Sequence, residues 1–380
     1  MKILMLNYEF PPIGGGAANA NLYILRQFAQ KNDLQIDMLT SGSSPRFSLE
    51  KFSPNINIHR IGLHKKSLQY WRKIEVIEWL IKAKAYYGKL IAAGDYDLAH
   101  AFFGFPTAYV CLPHSKKLPF IISLRGSDVP GQNPRLSLDY KILGPLFKKI
   151  WRNAAAVVAC SEGLKQRANR FMPELPIAVI PNGVNLEKFR PRQDMSFHKP
   201  LRLLTVGRLS ETKRVELLIE AVDLMRKKGI DVRFTIAGSG RCERKLKSLS
   251  CELGLDDCAT FTGRIEQDDM PQVYRDHDIY VSATFQEGMS NAMLEAMASG
   301  LPIVTTDCEG VEELVDGNGV IVLPQAQQIA EAVQKIASDP QTYSRMSDSA
   351  RNMAKKFSWS NIADTYLACY YDCLAEKRSN

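Results

Sequence analysis

Short runs of β-branched and aliphatic residues alternate along the chain with stretches whose apolar positions recur every three or four residues. Buried parallel strands read as near-continuous apolar runs, and the helices that cover them carry the 3.6-residue rhythm. In the first half this pattern predicts strands at 3–7, 36–40, 56–61, 98–101, 120–124, 156–160 and 178–180. It predicts a helix from about Ala18 to Gln30 and another after Ser161. Residues 189–200 carry Pro191 and Pro200 but no apolar periodicity, which reads as a linker. The pattern then restarts, with strands expected at 201–206, 233–237, 259–262, 279–282, 303–305 and 320–322. An alternation that runs twice predicts an α/β chain of two doubly wound domains. Ligands in such sheets bind beyond the carboxyl ends of the strands, here in a cleft shared by the two domains.

A length of 380 residues suits two cores better than one. No apolar run approaches the 18 or so residues of a spanning helix. Residues Met1–Asn7 run straight into Pro11-Pro12 and read as a first strand, not a leader, so a cytoplasmic location is expected. The net charge of +8 is unevenly spread. Residues 1–200 hold 28 Lys and Arg against 14 Asp and Glu, and residues 201–380 hold 21 against 27. Such asymmetry points to an anionic partner for the first half: nucleic acid, a membrane surface or a phosphorylated substrate. The eight cysteines form no C-x-x-C pair and read as reduced, buried thiols, including Cys369 and Cys373 at i, i+4. Asp276-His277-Asp278 imitates a metal site, but Asp278 directly precedes a strand and reads as structural.

Three segments carry candidate chemistry. The first strand leads into Gly14-Gly15-Gly16 ahead of a helix, where bare main-chain N–H groups can approach an anion. This is not the G-x-G-x-x-G fingerprint, and no acid ends the second strand to hold a ribose, so a dehydrogenase is disfavoured. The strand 201–206 ends at Gly207, followed by Arg208 and Lys213, a fork and a point charge suited to a diphosphate. After strand 279–282 come Glu287, Gly288, Met289, Ser290 and Asn291, then a helix from about Ser290 to Ala298 that carries Glu295. Two carboxylates eight residues apart, on either side of a helix N-terminus, suit two hydroxyl-bearing groups that flank a diphosphate.

This E-x7-E spacing, with Gly207-Arg208-Leu209…Lys213, the triple glycine and Pro181-Asn182-Gly183-Val184, resembles glycosyltransferase family 4 over essentially the whole chain. The resemblance implies the GT-B fold, two Rossmann-like domains facing across a cleft. It sets an acceptor-side domain at 1–190 and a nucleotide-sugar domain at 200–357, with helix 358–380 returning to the first domain. It further implies a retaining, metal-independent hexosyltransferase with no cofactor, using a UDP- or GDP-sugar as co-substrate. Arg208 and Lys213 would hold the donor diphosphate, helped by the amides of Gly15 and Gly16. Glu287 would contact sugar hydroxyls, Glu295 the ribose, and the Gly288–Asn291 amides the sugar and phosphate.

Departures from the family pattern accompany the match. Arg125 stands where a sugar-contacting histidine is usual, three residues before Asp128, and cannot shuttle a proton near neutral pH. It is expected to pair with Asp128 or to meet a phosphate. His100 remains at a sugar- or acceptor-contacting position, Arg214 replaces a glycine after the lysine, and Glu309 replaces another glycine.

Around residues 63–93, Tyr70, Ile74, Ile77 and Ile81 fall on one helix face among seven cations. Two readings suit this face: a core-facing stripe with a solvated basic back, which is preferred, and a surface for anionic lipid. With Lys148-Lys149-Ile150-Trp151-Arg152, the basic half suggests a glycan or lipid-linked acceptor of polysaccharide or glycolipid biosynthesis. It also suggests peripheral contact with the inner face of a membrane. No nucleic-acid-binding motif accompanies the charge. A non-catalytic sugar-nucleotide-binding protein of the same fold is the alternative, and Arg125 is what favours it.

Overall fold

The computed structural model describes residues 1–68, 70–131, 137–194, 196–285 and 287–379, without the side chains of 137–139 and 376–379. The chain divides into two compact units, one of residues 1–182 together with the segment from Trp359 onward, the other Gly183–Ser358.

The first unit is built on an eight-stranded sheet. Its strands are β1 (Lys2–Asn7), β2 (Gln35–Ser41), β3 (Ser48–Ser53), β4 (Ile56–Ile61), β5 (Leu98–Phe102), β6 (Phe120–Leu124), β7 (Ala156–Ala159) and β8 (Ile177–Val179). They lie in the order β3-β4-β2-β1-β5-β6-β7-β8, parallel throughout except for the antiparallel β3–β4 pair. The strand β3 (SLEKFS) is an exposed edge with no apolar run, so hydrophobic patterning passes over it. Helices α1 (Gly16–Phe28), α2 (Lys73–Ala93), α3 (Thr107–Cys111), α4 (Ser137–Arg152) and α5 (Glu162–Phe171) connect the strands. A long helix near the chain end, α12 (Trp359–Ser379), joins this unit's core through Trp359, Ile362, Tyr366 and Tyr370. Trp359 stacks on Tyr23 of α1 with ring centroids 5.3 Å apart.

The apolar stripe of α2 lies opposite to expectation. Trp79, Ala83, Tyr87 and Ile91 are its buried apolar residues, whereas Tyr70 just before the helix is 54% exposed and Ile74, Ile77 and Ile81 are 67%, 55% and 67% exposed. The larger aromatic face wins the core because Trp and Tyr bury more area than Ile. Near the start of α2, Glu75 is buried but accepts hydrogen bonds from Lys65, Arg72 and the Lys66 N–H.

The second unit carries a six-stranded, all-parallel sheet in the order β11-β10-β9-β12-β13-β14. Its strands are β9 (Leu201–Val206), β10 (Val232–Ala237), β11 (Ala259–Gly263), β12 (Ile279–Ser282), β13 (Ile303–Thr306) and β14 (Gly319–Val322). Its helices are α6 (Val215–Lys227), α7 (Glu243–Glu252), α8 (Met270–Arg275), α9 (Asn291–Ala298), α10 (Ala326–Ala337) and α11 (Pro340–Lys356).

The proline-bounded segment before β9 is pinned to this unit. Asp278, fully buried at the start of β12, accepts from Arg192 Nη2 at 2.8 Å, His198 Nδ1 at 2.8 Å and the Arg202 N–H at 2.8 Å. All eight cysteines are free, and Cys251 is exposed, unlike the buried thiols expected throughout. Among the described residues, no helix is long and apolar enough to cross a membrane, and no three His, Cys, Asp or Glu side chains cluster as a metal site would need.

Candidate active site

The second unit gathers most of the candidates at the carboxyl ends of β9 and β12. There Thr205, Gly207, Arg208, Leu209, Lys213, Ser282 and Thr284 line one small pocket. The backbone turn at Gly207-Arg208-Leu209 is held by the loop after β10. Leu209 N–H donates to the Ser239 carbonyl at 3.1 Å, and Cys242 N–H to the Leu209 carbonyl at 3.1 Å. A Cβ on Gly238 would sit 1.9 Å from the Gly207 carbonyl oxygen, and one on Gly240 2.2 Å from that of Leu209. Both positions therefore require glycine, and the close approach fixes where Arg208 emerges.

Lys213 closes a 3-10 turn (Glu211–Lys213), and its ammonium forms an ion pair with Glu287. The Phe285 N–H donates to the Thr212 carbonyl at 3.1 Å, which joins the Glu287 loop to the lysine turn. Arg214 follows in a left-handed conformation (φ 45°, ψ 42°), its guanidinium 5.0 Å from the Phe285 ring centroid. That backbone state favours glycine, so the arginine is held there against local preference.

Ser290 caps α9 by accepting the Met293 N–H, so the Glu287–Asn291 loop runs directly into the N-terminus of the helix. Glu295 lies about one turn into α9. Its Oε2 accepts from Tyr274 OH at 2.9 Å and its Oε1 from Gln267 Nε2 at 3.4 Å. Burial pushes its carboxyl up to about 7, against the opposing pull of Tyr274, Gln267 and the charge of Lys188. Tyr274, on α8, is a site residue that the sequence did not single out, and it has no local motif to mark it.

In the first unit, Gly15 caps α1 with no side-chain help and Gly16 opens the helix, so main-chain N–H groups are presented there. Gly14 has φ +98°, and a Cβ there would strike Glu9 at 2.8 Å. Arg125 follows β6. Its Nη1 donates to Asn182 Oδ1 at 2.8 Å and its Nη2 to Tyr366 OH at 3.0 Å, and it lies over the Phe102 ring at 4.5 Å. Its expected partner Asp128 meets only its main-chain N–H, at 2.9 Å. The Asp128 carboxylate also takes the N–H groups of Gly104 and Gly126, so it holds the loop together.

His100 lies inside the first unit. It is fully buried, with Nδ1 2.6 Å from Tyr370 OH and Nε2 2.7 Å from Ser123 Oγ. Burial, with the Arg125 charge nearby, drives its pKa well below the usual imidazole range. It remains a neutral link between β5, β6 and α12.

A family model described as group 1 glycosyl transferases matches residues 200–339, and one described as glycosyltransferase family 4 matches residues 14–188. The chain is a family 4-like glycosyltransferase. This glycosyltransferase is 25% identical to an uncharacterised glycosyltransferase of Methanocaldococcus jannaschii, over 97% of its own length and 98% of that protein's. Its fold is similar to sucrose-phosphate synthase from Thermosynechococcus elongatus, with TM-score 0.85, 22% identity and 99% of each chain covered. HepE of Anabaena, solved in complex with UDP, matches with TM-score 0.71 and 18% identity, over 98% of this chain and 100% of that one. The glycosyltransferase thus has the GT-B fold, with two parallel-sheet α/β units.

Proposed function

We propose that this enzyme is a retaining, metal-independent hexosyltransferase that moves a hexose-type sugar from a UDP- or GDP-sugar to a glycan or lipid-linked acceptor of polysaccharide or glycolipid synthesis. The observation that carries the reading is the gathering of Arg208, Lys213 and Glu287 beside the N-terminus of α9, with Glu295 within that helix. Arg208 and Lys213 bind the donor diphosphate, and Lys213 exchanges its contact with Glu287 for phosphate oxygen. Glu287, released from the ion pair, accepts from sugar hydroxyls. Glu295 accepts from the ribose, with the Gly288–Asn291 amides beside the sugar and phosphate. Gly15 and Gly16 offer further N–H groups to an anion.

As the bond from the anomeric carbon to the diphosphate oxygen breaks, its electron pair goes to the leaving diphosphate. Fixed cations and amides stabilise that growing charge more in the transition state than in the ground state. The acceptor oxygen bonds to the same face of the sugar, and its proton passes to the departing phosphate oxygen. The lysine-rich first unit faces the acceptor or an anionic membrane that carries it. UDP in the HepE complex supports a uridine donor.

The test is proton NMR of the products from UDP-glucose and GDP-mannose, with and without EDTA. Retained anomeric configuration and an EDTA-insensitive rate are expected, and an inverted anomer or loss of activity in EDTA overturns the reading.

A further inference from the structure

Helix α2 has two apolar faces, and the first unit covers only one. Its outer stripe, Ile74, Ile77 and Ile81, spans about 10 Å of helix at ~1.5 Å per residue, and Leu68 (43% exposed) and Tyr70 extend it past the N-terminus. By the 3.6-residue periodicity, Lys73 and Lys84 border the stripe on one side and Lys82 and Lys89 on the other. Residues 64–93 contain seven Lys and Arg against two acids, Glu75 and Glu78. Both acids are engaged locally, Glu75 by Lys65 and Arg72, Glu78 by His64 and Lys82. An aliphatic ridge with a tyrosine at one end and lysines along both sides matches an interface where acyl chains lie beneath anionic headgroups.

We propose that this face of α2 is a monotopic docking surface for an anionic lipid bilayer. The inference rests on the reading of a lipid-linked acceptor and gives that reading a place on the molecule. The docking face is tied to the glycine turn that follows β1. The Gly14 N–H donates to the Leu68 carbonyl at 2.9 Å, and Tyr8 lies against Trp71 and Trp79 with ring centroids 4.8 and 6.1 Å away. A bilayer seated on the stripe therefore lies beside the carboxyl edge of the first sheet, where an acceptor carried in the membrane presents its head.

The test is flotation of the full-length enzyme with vesicles of phosphatidylcholine alone or of phosphatidylcholine with 30% phosphatidylglycerol, a proportion of about one anionic lipid in three. The wild type should float with the anionic vesicles and remain behind with the neutral ones. A triple Ile74→Ser, Ile77→Ser, Ile81→Ser variant should need at least about tenfold more lipid for half-maximal binding. A Lys73→Gln, Lys84→Gln, Lys89→Gln variant should lose the preference for anionic lipid. All three side chains in the serine variant are exposed, so its UDP-glucose affinity and melting temperature should match the wild type.

Equal flotation of wild type and serine variant overturns the proposal, as does absence of wild-type binding. A wild-type dimer that the serine substitutions convert to monomer, seen by light scattering, assigns the face to a second copy instead. Loss of donor binding with flotation intact counts against the donor reading and leaves the docking surface standing.

Discussion

Glu295 gives the proposed donor site a pH dependence with a defined sign and size. Its carboxyl titrates near 7 because burial disfavours the charged form and outweighs the hydrogen bonds from Tyr274 and Gln267. A ribose hydroxyl is held best by the ionised carboxylate, which only accepts. At pH 5.5, about 1.5 units below that value, only about 3% of the carboxyl is ionised, so donor affinity should fall about 30-fold from its value at pH 8.5. That is about 2 kcal/mol at 1.36 kcal/mol per unit. Folding responds in the opposite direction. The native state holds this proton more tightly than the unfolded chain, whose carboxyl titrates near 4.5, so stability is lost as pH rises through about 7. The difference of about 2.5 units corresponds to about 3 kcal/mol at 1.36 kcal/mol per unit, lost between about pH 4.5 and pH 7. Because the residue keeps partial exposure, solvent screening makes that figure a ceiling. Calorimetric titration with UDP-glucose, whose diphosphate diester keeps a constant charge over this range, reads the effect directly. The Glu295→Gln variant should bind with a flat pH profile. A flat profile in the wild type, or an unchanged slope in the variant, refutes the assignment of Glu295 to the ribose.

Other residues carry predictions of their own. Asp278→Ala leaves Arg192 and His198 without their buried partner and should lower stability by about 3 kcal/mol in urea unfolding, with loosening of residues 189–200 by hydrogen exchange. At Arg214, Gly should be more stable than Ala by about 1 kcal/mol, the reverse of the usual order in helical segments, because only glycine removes the left-handed strain. His100→Ala should cost about 3 kcal/mol by stranding Tyr370 and Ser123 hydroxyls, while UDP-glucose affinity per folded molecule stays within about twofold. A large loss of affinity with stability unchanged would mark it as a ligand contact.

The sequence was informative wherever burial imposed a pattern. Strands enclosed on both faces, such as β1, β6 and β12, are continuous apolar runs and lie within a residue or so of where periodicity sets them. The edge strand β3 faces solvent on both sides and has no such run. The stripe of α2 was visible, but not which of two apolar faces the core would take, because that depends on the volume of Trp79 and Tyr87 fitting against the sheet. Asp278 was recognised as structural, yet its grip on Arg192 and His198 spans about 80 residues and leaves no local trace. At the site, Arg208, Lys213 and Glu287 carried a motif. Tyr274, which completes the environment of Glu295, has only the ordinary appearance of a buried helix residue.

Release of nucleotide diphosphate from saturating donor and acceptor, by wild type and by Lys213→Ala, tests the central claim most directly. Loss of one preorganised cation on the leaving diphosphate should slow turnover by about 10² to 10³ while the enzyme remains folded. Turnover within about threefold of wild type would show that the diphosphate departs elsewhere, and that the gathering of Arg208, Lys213 and Glu287 is not the reaction centre.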